Sequence, residues 1–133
     1  MEWTRDLVSE RLREAWDTLR RMPVHGVPGF KTHWPDYIQD HAEGYGYTNV
    51  TVRLARASPR AIDRMMETFG WFRFLAGRPH LGKAVWLTCG AGMGPRRAGG
   101  HLGVHRDTVR ARREEALDLI MEGLSTFAKA SVD

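Results

Sequence analysis

The chain is expected to be all-α, a helical bundle, and three observations carry that expectation. Apolar residues recur at three- and four-residue steps over residues 3–22, 58–76, 80–90 and 105–122, the period of a helix with one buried face. Proline, glycine and serine fall between those stretches: Ser58-Pro59, Gly77-Arg78-Pro79 and the run Gly90 to Pro95. One stretch, Thr48 to Arg56, alternates as a strand would, but no second strand is visible to pair with it, and a lone strand is unstable.

Taken in order, residues 3–22 place Trp3, Leu7, Val8, Leu12, Ala15, Trp16, Leu19 and Met22 on one stripe, with charged residues opposite and Pro23 at the end. Such a stripe suits either packing on the chain's own core or a two-helix interface with a second copy. Residues 23–57 are broken by Pro23, Pro28, Pro35 and several glycines. Here a short helix from Pro35 to Ala42 and an extended connector over 48–56 are expected. Phe30, Trp34, Tyr37, Tyr45 and Tyr47 in this region can stack bases, but aromatic residues in a long loop more often pin it to the core. Ser58 caps the next helix with Pro59 at its first position, and the helix runs to about Ala76. Ile62, Met65, Met66, Phe69, Phe72 and Leu75 face inward, and Trp71 and Phe74 widen that surface, which makes this the central helix. A further helix over about 80–90 carries Leu81, Ala84, Val85, Trp86 and Leu87. The organisation expected is an N-terminal helix with an aromatic, Pro/Gly-rich connector, residues 1–57, followed by a four-helix unit, residues 58–133.

The stretch Pro95 to Leu117, PRRAGGHLGVHRDTVRARREEAL, reads as two helices joined by the turn Leu102-Gly103-Val104. Ala98 and Gly99 are small enough for a second helix to cross closely. Gly103 can take the left-handed backbone that ends the first helix. Val109, Ala116 and Ile120 then bury one face of the second helix, while Arg106, Asp107, Arg110 and Ala111 lie on the other. A short helix, a glycine turn and a helix with a polar outer face make a helix-turn-helix, whose second helix enters the DNA major groove.

The segment LGVHRDTVRARREEAL is similar to the C-terminal helix-turn-helix of sigma factors, region 4, in Leu102-Gly103-Val104, Thr108-Val109, Arg112 and Ala116-Leu117. More of the chain resembles a family of small bacterial and prophage helix-turn-helix proteins through Trp34-Pro35, Ala61-Ile62-Asp63-Arg64-Met65, Trp71 and Trp86. The first resemblance implies a four-helix DNA-binding unit; the second implies no settled function. Three departures from the sigma pattern stand out. His105 stands where Ser or Thr usually caps the recognition helix, Arg113 replaces an apolar residue, and Gly99-Gly100 weakens the first helix intrinsically.

Charge follows the same segment. The chain carries net +4, while between Arg96 and Arg113 the arginines 96, 97, 106, 110, 112 and 113 against Asp107 give +5, six minus one. Arginine forks onto phosphate or guanine. Arg106 and Arg110 are one turn apart and are expected to read bases, with Arg110 able to pair instead with Glu114. Asp107 can accept from cytosine or simply favour a helix N-terminus. Arg96 and Arg97 suit phosphates, Arg112 and Arg113 flank the groove or hold the fold, Thr108 suits a phosphate, and His101 and His105 suit backbone or bases.

Other chemistry has weaker footing. Gly90, Gly92 and Gly94 are not followed by Gly-Lys-Ser/Thr, so a hinge is expected rather than a phosphate loop. Six histidines and the single Cys89 show no ligand spacing, so no metal and no cofactor are expected. Asp36, Asp40, His41 and Glu43 suggest solvated loop groups. Asp63 and Glu67 suggest surface pairs with Arg60 and Arg64, and no catalytic set emerges. One cysteine excludes an internal disulfide, no apolar run spans a bilayer, and MEWTRDLVSE lacks a signal core. The expectation is a cytoplasmic, nucleoid-bound, non-enzymatic protein that binds double-stranded DNA as a homodimer or higher oligomer, with RNA polymerase as a candidate further partner. A transcriptional regulator fits first. A small-terminase-like DNA-recognition subunit of phage packaging, or a helix-turn-helix kept for protein interaction, fits next.

Overall fold

Thr4 opens the first element. Its hydroxyl accepts from the Leu7 N–H at 3.2 Å, which starts α1 at Arg5–Arg20 and leaves Trp3 outside the helix, edge-on to Trp71 with ring centroids 5.0 Å apart. The helix is thus shorter at both ends than the stripe over 3–22 suggests. This computed structural model describes residues 2–22, 35, 37–38 and 56–132, the last five of these by backbone only. The aromatic residues Phe30, Trp34, Tyr45 and Tyr47, the histidines 25, 33 and 41, the acids 36, 40 and 43, and the alternating stretch 48–55 lie outside the described residues.

Ser58 caps α2, Pro59–Gly70, by accepting from the Ala61 N–H at 3.1 Å, with Pro59 in the first turn. The single helix expected to Ala76 tightens after Gly70 into a 3-10 segment, Trp71–Leu75. That segment buries Trp71, Phe72 and Leu75 together within five residues, while Arg73 between them stays exposed. Next, α3 covers Pro79–Val85 and continues as a π-helical turn, Trp86–Gly90. Two more helices follow, α4 at Pro95–Leu102 and α5 at Arg106–Val132. The described residues contain no strand, and the fold class is all-α.

Trp86 is the hub of the core. It is 1% exposed and meets Trp16 of α1 at 5.0 Å, Phe69 of α2 at 5.5 Å and Phe72 at 6.1 Å between ring centroids. Each such aromatic pair contributes about 0.5–1.5 kcal/mol beyond its buried area. Around it pack Val8, Leu12, Ala15 and Leu19 of α1, Met65 of α2, Leu81 and Val85 of α3, and Ala116, Leu117 and Ile120 of α5. The apolar stripe of α1 is therefore covered by its own chain and shares one core with the later helices. It is not left over to pair with a second copy.

Charged residues set the register of α1 on its neighbours. Arg64 of α2 meets Glu14 at 2.9 Å, and Arg11 meets Glu67 of α2 at 3.4 Å. These pairs cross between helices, whereas the sequence suggested Glu67 and Arg64 as partners along one helix. The tight packing of α1 along α2 brings opposite charges nearer than the helical repeat does. At the other edge Arg5 donates twice to Asp118 of α5, at 2.8 Å each. Tyr37, from the little that is described of the connector, packs edge-on to Phe72 at 6.0 Å. Burial pushes its phenol up to about 12. In this aromatic residue, pinning to the core is the role observed.

Candidate nucleic-acid interface

The pair α4 and α5 is built around a small apolar nucleus of its own. Leu87, Ala98 and Val109 are buried there, with Met93, Leu102 and Val104 packed around them. Gly94 precedes α4 with Pro95 in its first turn, and Gly103 ends it with φ +70°, the left-handed conformation that closes a helix on glycine at least cost. The Val104 N–H donates back to the Gly99 carbonyl at 3.0 Å. A Cβ on Gly99 would stand 2.5 Å from the Val104 carbonyl oxygen, so only glycine lets the turn fold back this closely. The sequence marked Gly99-Gly100 as a weakness. Tertiary contact makes the first of the two a requirement.

The start of α5 is capped by a histidine. The His105 carbonyl accepts from the N–H of Thr108 at 3.0 Å and of Val109 at 3.2 Å, and its Nδ1 accepts from the Asp107 N–H, also at 3.2 Å. His105 thus supplies the cap that Ser or Thr would supply elsewhere. The carboxylate of Asp107 lies in the first turn, where the unpaired N–H groups favour negative charge. It also stands 3.7 Å from Arg110 Nη1 and 3.5 Å from His105 Nδ1. Arg110 is therefore held from the N-terminal side by Asp107, three residues back, and not by Glu114 as its spacing first suggested.

Arg96, Arg97, His101, His105, Arg106, Asp107 and Arg110 are all exposed. Of these the described contacts join His105, Asp107 and Arg110 into one cluster. Arg96, Arg97, His101 and Arg106 make no hydrogen bond or ion pair among the described residues and stand open to solvent. Thr108 is half-buried, as are Arg112 and Arg113, and Arg113 Nε is buried without a hydrogen-bond partner among the described residues. These two arginines turn partly into the protein because Val109, Ala116 and Ile120 fix which face of α5 goes inward. The +5 of the sequence reduces at the fully exposed positions to +3, four arginines less Asp107.

Two features of α5 escaped the sequence reading. It extends over 27 residues to Val132, well beyond the end expected near residue 122. The signal was present in Leu117, Ile120, Leu124 and Phe127, which continue the helical spacing. Glu115, one turn before Leu119, also anchors the helix to Arg78 at the head of α3, at 3.1 Å. No helix of the described residues is long and apolar enough to cross a membrane, and no group of three or more metal-ligating side chains gathers among them.

Fold and site together define an all-helical protein that presents an exposed, arginine-rich helix pair closed by a glycine turn. Residues 20–120 match the family described as a domain of unknown function (DUF6362), and the chain belongs to that family. The matched span takes in the end of α1 and every helix from α2 to the middle of α5. No curated protein and no solved structure matches the chain.

Proposed function

We propose that the protein binds double-stranded DNA sequence-specifically, as a transcriptional regulator of bacterial or prophage type, with the first turns of α5 in the major groove. The observation that carries this reading is the exposed arginine set on a closely crossed helix pair. Arg106 and Arg110 project from the N-terminal turns of α5, and Arg96 and Arg97 from the N-terminal turn of α4. Helix-turn-helix proteins read bases from the N-terminal residues of the second helix. The likeness of residues 102–117 to sigma region 4 supports the same placement. Cytoplasmic, nucleoid-bound action follows from the reading, as does RNA polymerase as a second partner.

In this reading Arg106 is the freer base reader, and Arg110 reaches DNA from an aspartate-held position. Asp107 orients Arg110 and keeps the start of α5 from gripping every phosphate alike, so it favours selectivity over affinity. Arg96 and Arg97 anchor to the backbone.

The test is selection of bound fragments from random duplex DNA, followed by anisotropy titrations over a range of salt. Arg106→Ala and Arg110→Ala are expected to relax sequence choice, each losing about 1–3 kcal/mol of discrimination at one position. Arg96→Ala is expected to weaken binding to all sequences and to reduce the salt slope by about one. If the wild type binds no duplex at low salt, or the three variants bind as it does, the reading is wrong.

A further inference from the structure

Past the shared core, α5 carries an apolar groove that nothing among the described residues fills. It is an open groove of about 610 Å³ lined by Arg73, Phe74, Leu119, Glu122, Gly123, Thr126 and Phe127. Phe127 is 59% exposed, the one large apolar side chain with that much surface in solvent among the described residues. Gly123 makes the groove possible, since a Cβ there would overlap the Phe74 ring. The guanidinium of Arg73 lies over both rings, 5.0 Å from the centre of Phe74 and 5.2 Å from that of Phe127. Arg73 and Glu122 line the same groove with opposite charges, yet neither makes an ion pair among the described residues.

An apolar strip bordered by one unpaired cation and one unpaired anion is complementary to itself under a two-fold axis. We propose that this groove is a homodimer interface. A second copy of the chain packs its Phe127 into the groove, and Arg73 of each copy meets Glu122 of the other. A groove of this size makes for a weak, reversible dimer, at the low end of specific interfaces. The inference deepens the DNA-binding reading and rests on it for its purpose, though not for its existence. Phe127 lies seventeen residues beyond Arg110 on the same helix, about 26 Å at 1.5 Å per residue. Two such helices meeting at Phe127 hold their arginine ends on separate arms of the dimer, as a protein that reads two half-sites needs.

Sedimentation equilibrium of the full chain without DNA tests it, with circular dichroism to confirm that each variant folds. The wild type should associate reversibly to a dimer. Phe127→Ser, Arg73→Glu and Glu122→Arg should each raise the dissociation constant by about tenfold or more. Mixing the Arg73→Glu and Glu122→Arg variants should restore dimer as a one-to-one heterodimer, because each then offers the other two opposite pairs. A monomeric wild type at high micromolar concentration, or a mixture that stays as weak as its components, overturns the proposal. So does a dimer that survives all three substitutions. Dimerisation as described with no binding to duplex would instead sink the DNA-binding reading and leave this interface standing.

Discussion

Gly99 and Gly100 are neighbours on one helix with opposite surroundings. Gly99 faces the Val104 carbonyl, whereas nothing lies within 4 Å of the position a Cβ would take on Gly100. Gly99→Ala is therefore expected to cost about 1–3 kcal/mol, the usual range for forcing a methyl into a packed site. Gly100→Ala is expected to stabilise by up to about 1 kcal/mol, since alanine is the better helix former and meets no obstacle. Urea denaturation of the two variants beside the wild type measures both, and equal effects would mean that the turn does not pack as described. His105 offers a second contrast. Losing its cap in His105→Ala should cost about 0.5–2 kcal/mol, while His105→Ser should retain most of the stability because a hydroxyl can accept the same N–H. Neither distinction is readable from residue type: the sequence shows Gly99, Gly100 and His105 only as two glycines and a histidine, and only the neighbouring carbonyl and N–H give each its role.

At the scale of elements, the helices were legible in the sequence where local signals were strong. Ser58-Pro59 starts α2 as read, and Gly103 ends α4 in the left-handed conformation that its type suggests. The subdivisions were not legible. The change from α-helix to 3-10 after Gly70 and to a π-turn at Trp86 comes from fitting Trp71, Phe72 and Trp86 into one core, a demand that no short window of sequence contains. Ion pairs between helices were equally hidden, since Arg5 and Asp118 stand 113 residues apart. The hydrogen bond from Arg5 holds the Asp118 carboxyl below the ordinary carboxylate range. Its contribution is thus complete above the pKa of an unfolded aspartate, about 4, and is lost as pH falls through the lower folded value. Both side chains are open to solvent, so the effect is small and screened by salt. The midpoint of urea unfolding should fall more steeply with acid below pH about 4 in the wild type than in Asp118→Asn. Parallel slopes would show that the pair does not persist in solution.

For the whole molecule the decisive fact is that α1 lies in the same core as α5, the helix that carries Arg106 and Arg110. Leu12 is wholly buried, and Trp16 packs on Trp86. Leu12→Ala should therefore lower the stability of the entire chain by about 2–5 kcal/mol, in one transition seen alike by tryptophan fluorescence and far-ultraviolet dichroism. Two separate transitions, with only the first shifted, would show that α1 folds apart from the arginine-bearing unit. The sequence by itself determined the helical class, the position of the glycine turn and the concentration of arginine around it, because helix period, backbone freedom at glycine and formal charge are properties of nearby residues. The tertiary structure alone decided that the stripe of α1 turns inward, that Arg112 and Arg113 are partly withdrawn while Arg96, Arg97, Arg106 and Arg110 stay exposed, and that Phe127 keeps more than half of its surface exposed. Those outcomes depend on which apolar faces find one another first-hand across long separations in the chain, and side-chain spacing within a helix cannot specify its neighbour.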